Sequence, residues 1–138
     1  MANLIKILNS HQTDKQFVRF CLIGILNTAV DLSFYYIFTR HLGFVGELIF
    51  IAKGISFIIA TFNSFLFNRF WTFKKEGGFL WKELFTFYTV IGSGIFINIG
   101  VHFLDVNFFG INDLASSIVS AGFTAVWGFV LAKYIVFK

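Results

Sequence analysis

The sequence predicts an all-α integral membrane protein whose four transmembrane helices form two parallel-repeat helical hairpins, with both termini cytoplasmic. Three observations carry this. Of 138 residues, 57% are apolar and 13% charged, with 22 phenylalanines and a mean hydropathy of +0.80, which does not describe a soluble domain. Four apolar runs, at about 17–39, 48–70, 83–104 and 114–135, each reach the roughly 20 residues that cross a hydrocarbon core about 30 Å thick. Lys6, Lys15, Arg19, Arg69, Lys74, Lys75, Lys82, Lys133 and Lys138 fall at one set of helix ends, with Arg40 at the other. The excess of cations marks the cytoplasmic side.

Residues 1–16 contain only a short apolar group, Leu4, Ile5, Ile7 and Leu8, too small for the apolar region of a secretory signal. They read as a short interfacial segment ahead of an uncleaved first span, within a single membrane domain covering 1–138. The loops, near 41–47, 74–82 and 105–113, leave no room for a catalytic domain outside the membrane. The basic balance, with a pI near 9.4, indicates attraction to anionic membrane lipids, and no nucleic-acid partner is expected. Cys21 is the only cysteine, which excludes an intrachain disulfide.

The hairpin is written twice. Phe17, Phe20, Ile23 and Gly24 match Phe85, Tyr88, Ile91 and Gly92 at a shift of 68 residues, and Arg69, Phe70, Phe73 and Lys74 match Lys133, Tyr134, Phe137 and Lys138 at a shift of 64. Each unit contains two spans, so the repeat is parallel. The even helices carry small residues at four-residue spacing, Ser56, Ala60 and Ser64 in one and Ser120, Thr124 and Gly128 in the other. Such stripes let helix backbones approach closely.

Asp31 and Lys53 are the only full charges deep within the spans. A charge at membrane depth costs about 2.5–3.5 kcal/mol on the mildest scale, so each needs a reason. At about 1.5 Å per residue, Asp31 lies roughly 12 Å and Lys53 roughly 8 Å below the same membrane face, within reach of each other. The pair is either an ion bridge that sets hairpin register or the border of a polar pathway. Asn27 continues the Asp31 face and Asn63 the Lys53 face, which favours a pathway. At the shift of 68 the counterpart of Asp31 is the apolar Ile99.

Arg19, Arg69 and Lys133, beside Trp71 and Tyr134 and with Asn68 adjacent, suit either an aromatic and cationic anchoring belt or a phosphate-attracting mouth. Asn98 and His102 share a face of the third span, as interfacial hydrogen-bonding groups or as secondary contacts. No second histidine or glutamate stands at ligand spacing, so neither a metal nor a cofactor is expected. No nucleophile with a partnered base and no phosphate-cradling loop is apparent, which argues against an enzyme.

Arg19-Phe20 with Gly24 opening the first span, Asn27-Thr28 with Asp31 inside it, and Asn68-Arg69-Phe70-Trp71-Thr72-Phe73 closing the second resemble the GtrA-like family of small four-helix membrane proteins. Lys133-Tyr134 with Phe137 is similar to the family's second-repeat ending. The resemblance implies translocation of a polyprenyl-phosphate-linked sugar, such as undecaprenyl-phosphate glucose, across a bacterial cytoplasmic membrane, for cell-surface polysaccharide synthesis or wall-polymer glycosylation. A membrane glycosyltransferase would make that substrate. The expected contacts are Asp31, Lys53, Asn27, Asn63, Asn68, Arg69 and Arg19, with Trp71, Asn98, His102 and Lys133 secondary. Four spans enclose little volume, which points to a homodimer or larger assembly. The alternatives are a non-transporting scaffold that recruits the glycosyltransferase and a small proton-coupled multidrug exporter. Lys53 argues against the exporter, because a neighbouring cation opposes proton uptake by Asp31.

Overall fold

A computed structural model describes residues 2–138, apart from the side chains of residues 2–8 and 114. It contains α1 (Ala2–Arg40), α2 (Leu48–Phe67), α3 (Trp81–Asn107) and α4 (Asp113–Leu131). Among the described residues, four helices are long and apolar enough to cross a membrane. The chain divides into two compact units, Met1–Glu76 and Gly77–Lys138, each a hairpin of consecutive helices. Glycines in the left-handed region, Gly43 at φ 71° and Gly46 at φ 61°, make the turn between α1 and α2, where a Cβ would be strained.

The backbone of α1 runs without interruption through the junction expected at 16/17. Its 39 residues span about 58 Å. Even at a tilt of about 40°, part of such a helix extends beyond the hydrocarbon core. Leu4, Ile5, Ile7 and Leu8, on which the interfacial reading rests, lie outside the described side chains.

Both second helices end in a feature that hydropathy does not reveal. After α2 and α4 the chain widens into a π-helical turn, at Asn68–Thr72 and at Ala132–Val136. The two turns stand 64 residues apart, from Asn68 to Ala132, the same shift as the sequence repeat. Phe73 N–H donates to the Asn68 carbonyl and Phe137 N–H to the Ala132 carbonyl, each at 2.9 Å. These are the i→i+5 bonds of a π turn, a form that recurs at functional sites.

The packing corrects the repeat register of the first helices. Phe20 meets Phe73 edge-on at 6.5 Å, and Phe87 meets Phe137 at 5.9 Å. Phe20 and Ile23 are buried, as are Phe87 and Val90. The equivalence of Phe20 with Phe87 sets a shift of 67 residues rather than 68. Phenylalanine is so abundant here that identity along lipid-facing surfaces misleads by one position; burial and ring contact do not. The small-residue stripe of α2 is buried at Ser56, Ala60 and Ser64. In the second unit a Cβ at Gly94 would stand 3.0 Å from Thr124 Cγ2, the close approach that small residues permit. Trp127 Nε1 donates to Ser93 Oγ at 2.9 Å across the same seam.

Candidate functional site

The first hairpin joins its two charges. Lys53 Nζ donates to Asp31 Oδ2 at 2.5 Å, and Ser56 Oγ donates to Asp31 Oδ1 at 2.6 Å. Both carboxylate oxygens are therefore engaged from α2. Asp31 has 16% of its side chain exposed and Lys53 has 52%, so the carboxylate is held in the seam while the ammonium keeps an open side. Lys53 also lies 5.7 Å from the Tyr35 ring, a cation–π distance.

The second hairpin is neutral at this layer. Ser120 is the counterpart of Ser56 at the shift of 64, and it accepts from Asn98 Nδ2 at 3.3 Å. The counterpart of Asp31 is therefore Asn98, which corrects the assignment to Ile99; Ile99 is 61% exposed. A one-residue error in register turns a helical position by about 100°, enough to exchange a seam residue for an outward one.

At the basic end, Arg19 Nη1 donates to the Trp71 carbonyl at 3.1 Å, and its guanidinium stands 5.4 Å from the Trp71 ring. Arg69 is enclosed, at 1% exposure. Its Nη1 donates to the Lys75 carbonyl at 3.3 Å, and Lys75 N–H returns a 2.8 Å bond to the Arg69 carbonyl. Arg69 thus fastens the chain as it leaves the π turn. Lys74, inside that fastened segment, holds φ at 49°, the only positive φ of a non-glycine residue among those described. Lys133 lies 5.9 Å from the Phe129 ring and 5.7 Å from the Tyr134 ring.

Five buried side-chain atoms without a hydrogen-bond partner stand out among the described residues: Gln16 Oε1, Asn27 Oδ1, Thr61 Oγ1, Asn68 Oδ1 and Thr72 Oγ1. All belong to the first hairpin. Each is costly, at about 1–3 kcal/mol, so the fold should avoid it where nothing requires it. The second hairpin does avoid most of them. At the shifts of 67 and 64, Asn27, Thr61, Asn68 and Thr72 correspond to Gly94, Ala125, Ala132 and Val136. The same architecture closes with apolar or absent side chains at all four places. Asn68 does use its amide nitrogen, donating to the Ser64 carbonyl at 3.0 Å; its oxygen is the unused atom. Asn63, expected on this face, is half-buried on α2. The orphaned oxygens were not anticipated from sequence, although lining up the two repeats marks the polar positions that only the first one has.

Two cavities adjoin this end of the first hairpin. An apolar groove of about 710 Å³ is bordered by Leu22 and Leu26 of α1 and by Leu66, Phe67, Phe70 and Trp71. A polar cavity of about 240 Å³ is bordered by Gln12, Lys15, Gln16, Arg19, Thr72 and Lys74.

The second hairpin holds a different polar cluster. Ser116 Oγ lies 3.0 Å from His102 Nδ1 and 3.3 Å from Asp105 Oδ2, and His102 Nε2 lies 2.9 Å from Asp113 Oδ1. The order serine, histidine, carboxylate imitates a nucleophilic triad. The Ser116 hydroxyl is buried and already engaged by His102 and Asp105, however, and the cluster ties the end of α3 to the start of α4. No group of three or more metal-ligating side chains occurs among the described residues.

Four helices long and apolar enough to cross a membrane, paired into two similar hairpins, define a multi-pass membrane protein whose first half holds the unpartnered polar atoms found among the described residues. Compared with known protein families, residues 19–137 match GtrA/DPMS, transmembrane domain, and the chain belongs to that family. Membership connects it with the handling of sugars on carrier lipids, in a family whose members are generally non-catalytic.

Proposed function

We propose that the protein translocates a polyprenyl-phosphate-linked sugar from the cytoplasmic to the outer leaflet of a cell membrane, with both termini cytoplasmic. The observation that carries this reading is the contrast between the repeats. The first hairpin keeps a charged pair, Asp31 and Lys53, and four orphaned polar groups at places where the second has Asn98, Gly94, Ala125, Ala132 and Val136. A stable hairpin of this design does not need those groups. A polar headgroup crossing a low-dielectric layer does, because it must exchange water for protein partners. Lys53, half-exposed, offers the phosphate a countercharge at one end, and the cations around Arg19 offer one at the other. The polyprenyl chain stays in lipid throughout. A family of generally non-catalytic membrane components fits such a role, which requires no bond to be broken.

The test is reconstitution of the purified protein in liposomes with a labelled polyprenyl-phosphate sugar and a probe for the exposed leaflet. Movement of the label between leaflets with this protein alone is the expected result. Static label, together with tight co-purification of a membrane glycosyltransferase, would establish a recruiting scaffold instead. Cross-linking in the same liposomes reports whether the working unit is a homo-oligomer.

A further inference from the structure

The geometry points to a two-part seat for the carrier lipid in the first hairpin, with the phosphate sugar in the polar cavity and the first prenyl units in the adjoining groove. It rests on the translocation reading for the identity of the lipid. Arg19 and Trp71 join the edges of the two cavities, bonded at 3.1 Å with the guanidinium 5.4 Å from the indole ring. Arg19 borders the polar side and Trp71 the apolar side.

The polar side is chemically specific. Lys15, Arg19 and Lys74 border it and no carboxylate does, so it attracts an anion and suits the multiple oxygens of a phosphate. Thr72, 1% exposed, borders it with an unpartnered hydroxyl, which donates to a phosphate oxygen. Gln16 Oε1 is also buried without a partner. It accepts only, so it requires a donor, which a sugar hydroxyl supplies and a bare phosphate dianion does not. The cavity's 240 Å³ equals roughly eight water volumes, the scale of a phosphate with one sugar ring. Lys74 is held in the left-handed region at φ 49°. Backbone kept in a sparsely populated conformation clusters at ligand clamps.

The apolar side completes the match. Leu22, Leu26, Leu66 and Phe70 border an open apolar groove, which gives a prenyl chain apolar surroundings. Arg69, enclosed and bonded to Lys75, holds the segment that presents Thr72 and Lys74. It is a positioning residue.

The test is a calorimetric titration of the full chain in nanodiscs with farnesyl phosphate, with inorganic phosphate, farnesol and phosphatidylglycerol as separate arms. Farnesyl phosphate should bind, and Lys15→Gln with Lys74→Gln should weaken it by about tenfold or more, the scale of one or two charged hydrogen bonds. Thr72→Val should weaken it too, while Thr72→Ser retains it. Valine is the residue at the equivalent Val136, so the fold accepts it. Equal binding of farnesol, stronger binding of phosphatidylglycerol, binding of inorganic phosphate with equal affinity, or unchanged affinity in both variants would overturn the seat. Liposome transport separates this from the wider reading: transport intact in the lysine pair variant removes the seat and leaves translocation, whereas headgroup-dependent binding without transport leaves the seat and removes translocation.

Discussion

Lys53 Nζ and Asp31 Oδ2 lie 2.5 Å apart across the seam between α1 and α2, and Ser56 occupies the second carboxylate oxygen at 2.6 Å. The contact pairs the two charges that the sequence places at membrane depth. Whether their purpose is register or transport is decided by substitution. Lys53→Met or Asp31→Leu alone should lower stability by about 2.5–3.5 kcal/mol, the cost of leaving its partner charged in the span. The double variant should recover most of that, because a buried pair replaced by apolar residues is often neutral. Unfolding in mixed micelles measures the cycle. On the translocation reading, the double variant is stable yet inactive in liposomes; full activity would make the pair a register lock.

Arg69 should behave as a structural residue despite its charge. Arg69→Ala removes the 3.3 Å bond to the Lys75 carbonyl from an enclosed site and should cost about 1–3 kcal/mol. Arg69→Lys keeps the charge but not the planar fork and should recover only part. Membrane abundance and melting temperature are the readouts. Full stability of Arg69→Ala would contradict the fastening role.

The seam of the second hairpin makes a steric prediction. Gly94→Ala places a methyl 3.0 Å from Thr124 Cγ2 and should destabilise by about 1 kcal/mol or more, the scale of mild overpacking. Thr124→Ser removes the opposing methyl, so the double variant should recover the loss. Additive losses in a two-by-two cycle would show that the contact does not govern the packing.

Ser116 should resist a fluorophosphonate probe, since no part of its surface is exposed although His102 lies 3.0 Å away. Ser116→Ala should instead cost about 1–3 kcal/mol through the loss of its bonds to His102 and Asp105. Labelling of the native protein, measured by intact mass, would revive the nucleophile reading.

Lipid contact makes some features legible in the chain and leaves others silent. Hydropathy determined the helix count, and the rarity of charge at depth picked out Asp31 and Lys53 before any contact was known, because the bilayer penalises polar groups residue by residue. The repeat was also legible, and on the second helices its shift was right. On the first helices it erred by one position, since 22 phenylalanines make lipid-facing identities uninformative. Only packing, through Phe20 with Phe73 and Phe87 with Phe137, could set that register and pair Asp31 with Asn98 as equivalents. Tertiary structure alone also turned Arg69 inward, widened two helix ends into π turns, and left five polar atoms in the first hairpin without partners. Satisfaction of a hydrogen bond depends on what stands within about 3 Å in space, a relation between distant residues that composition and periodicity do not contain.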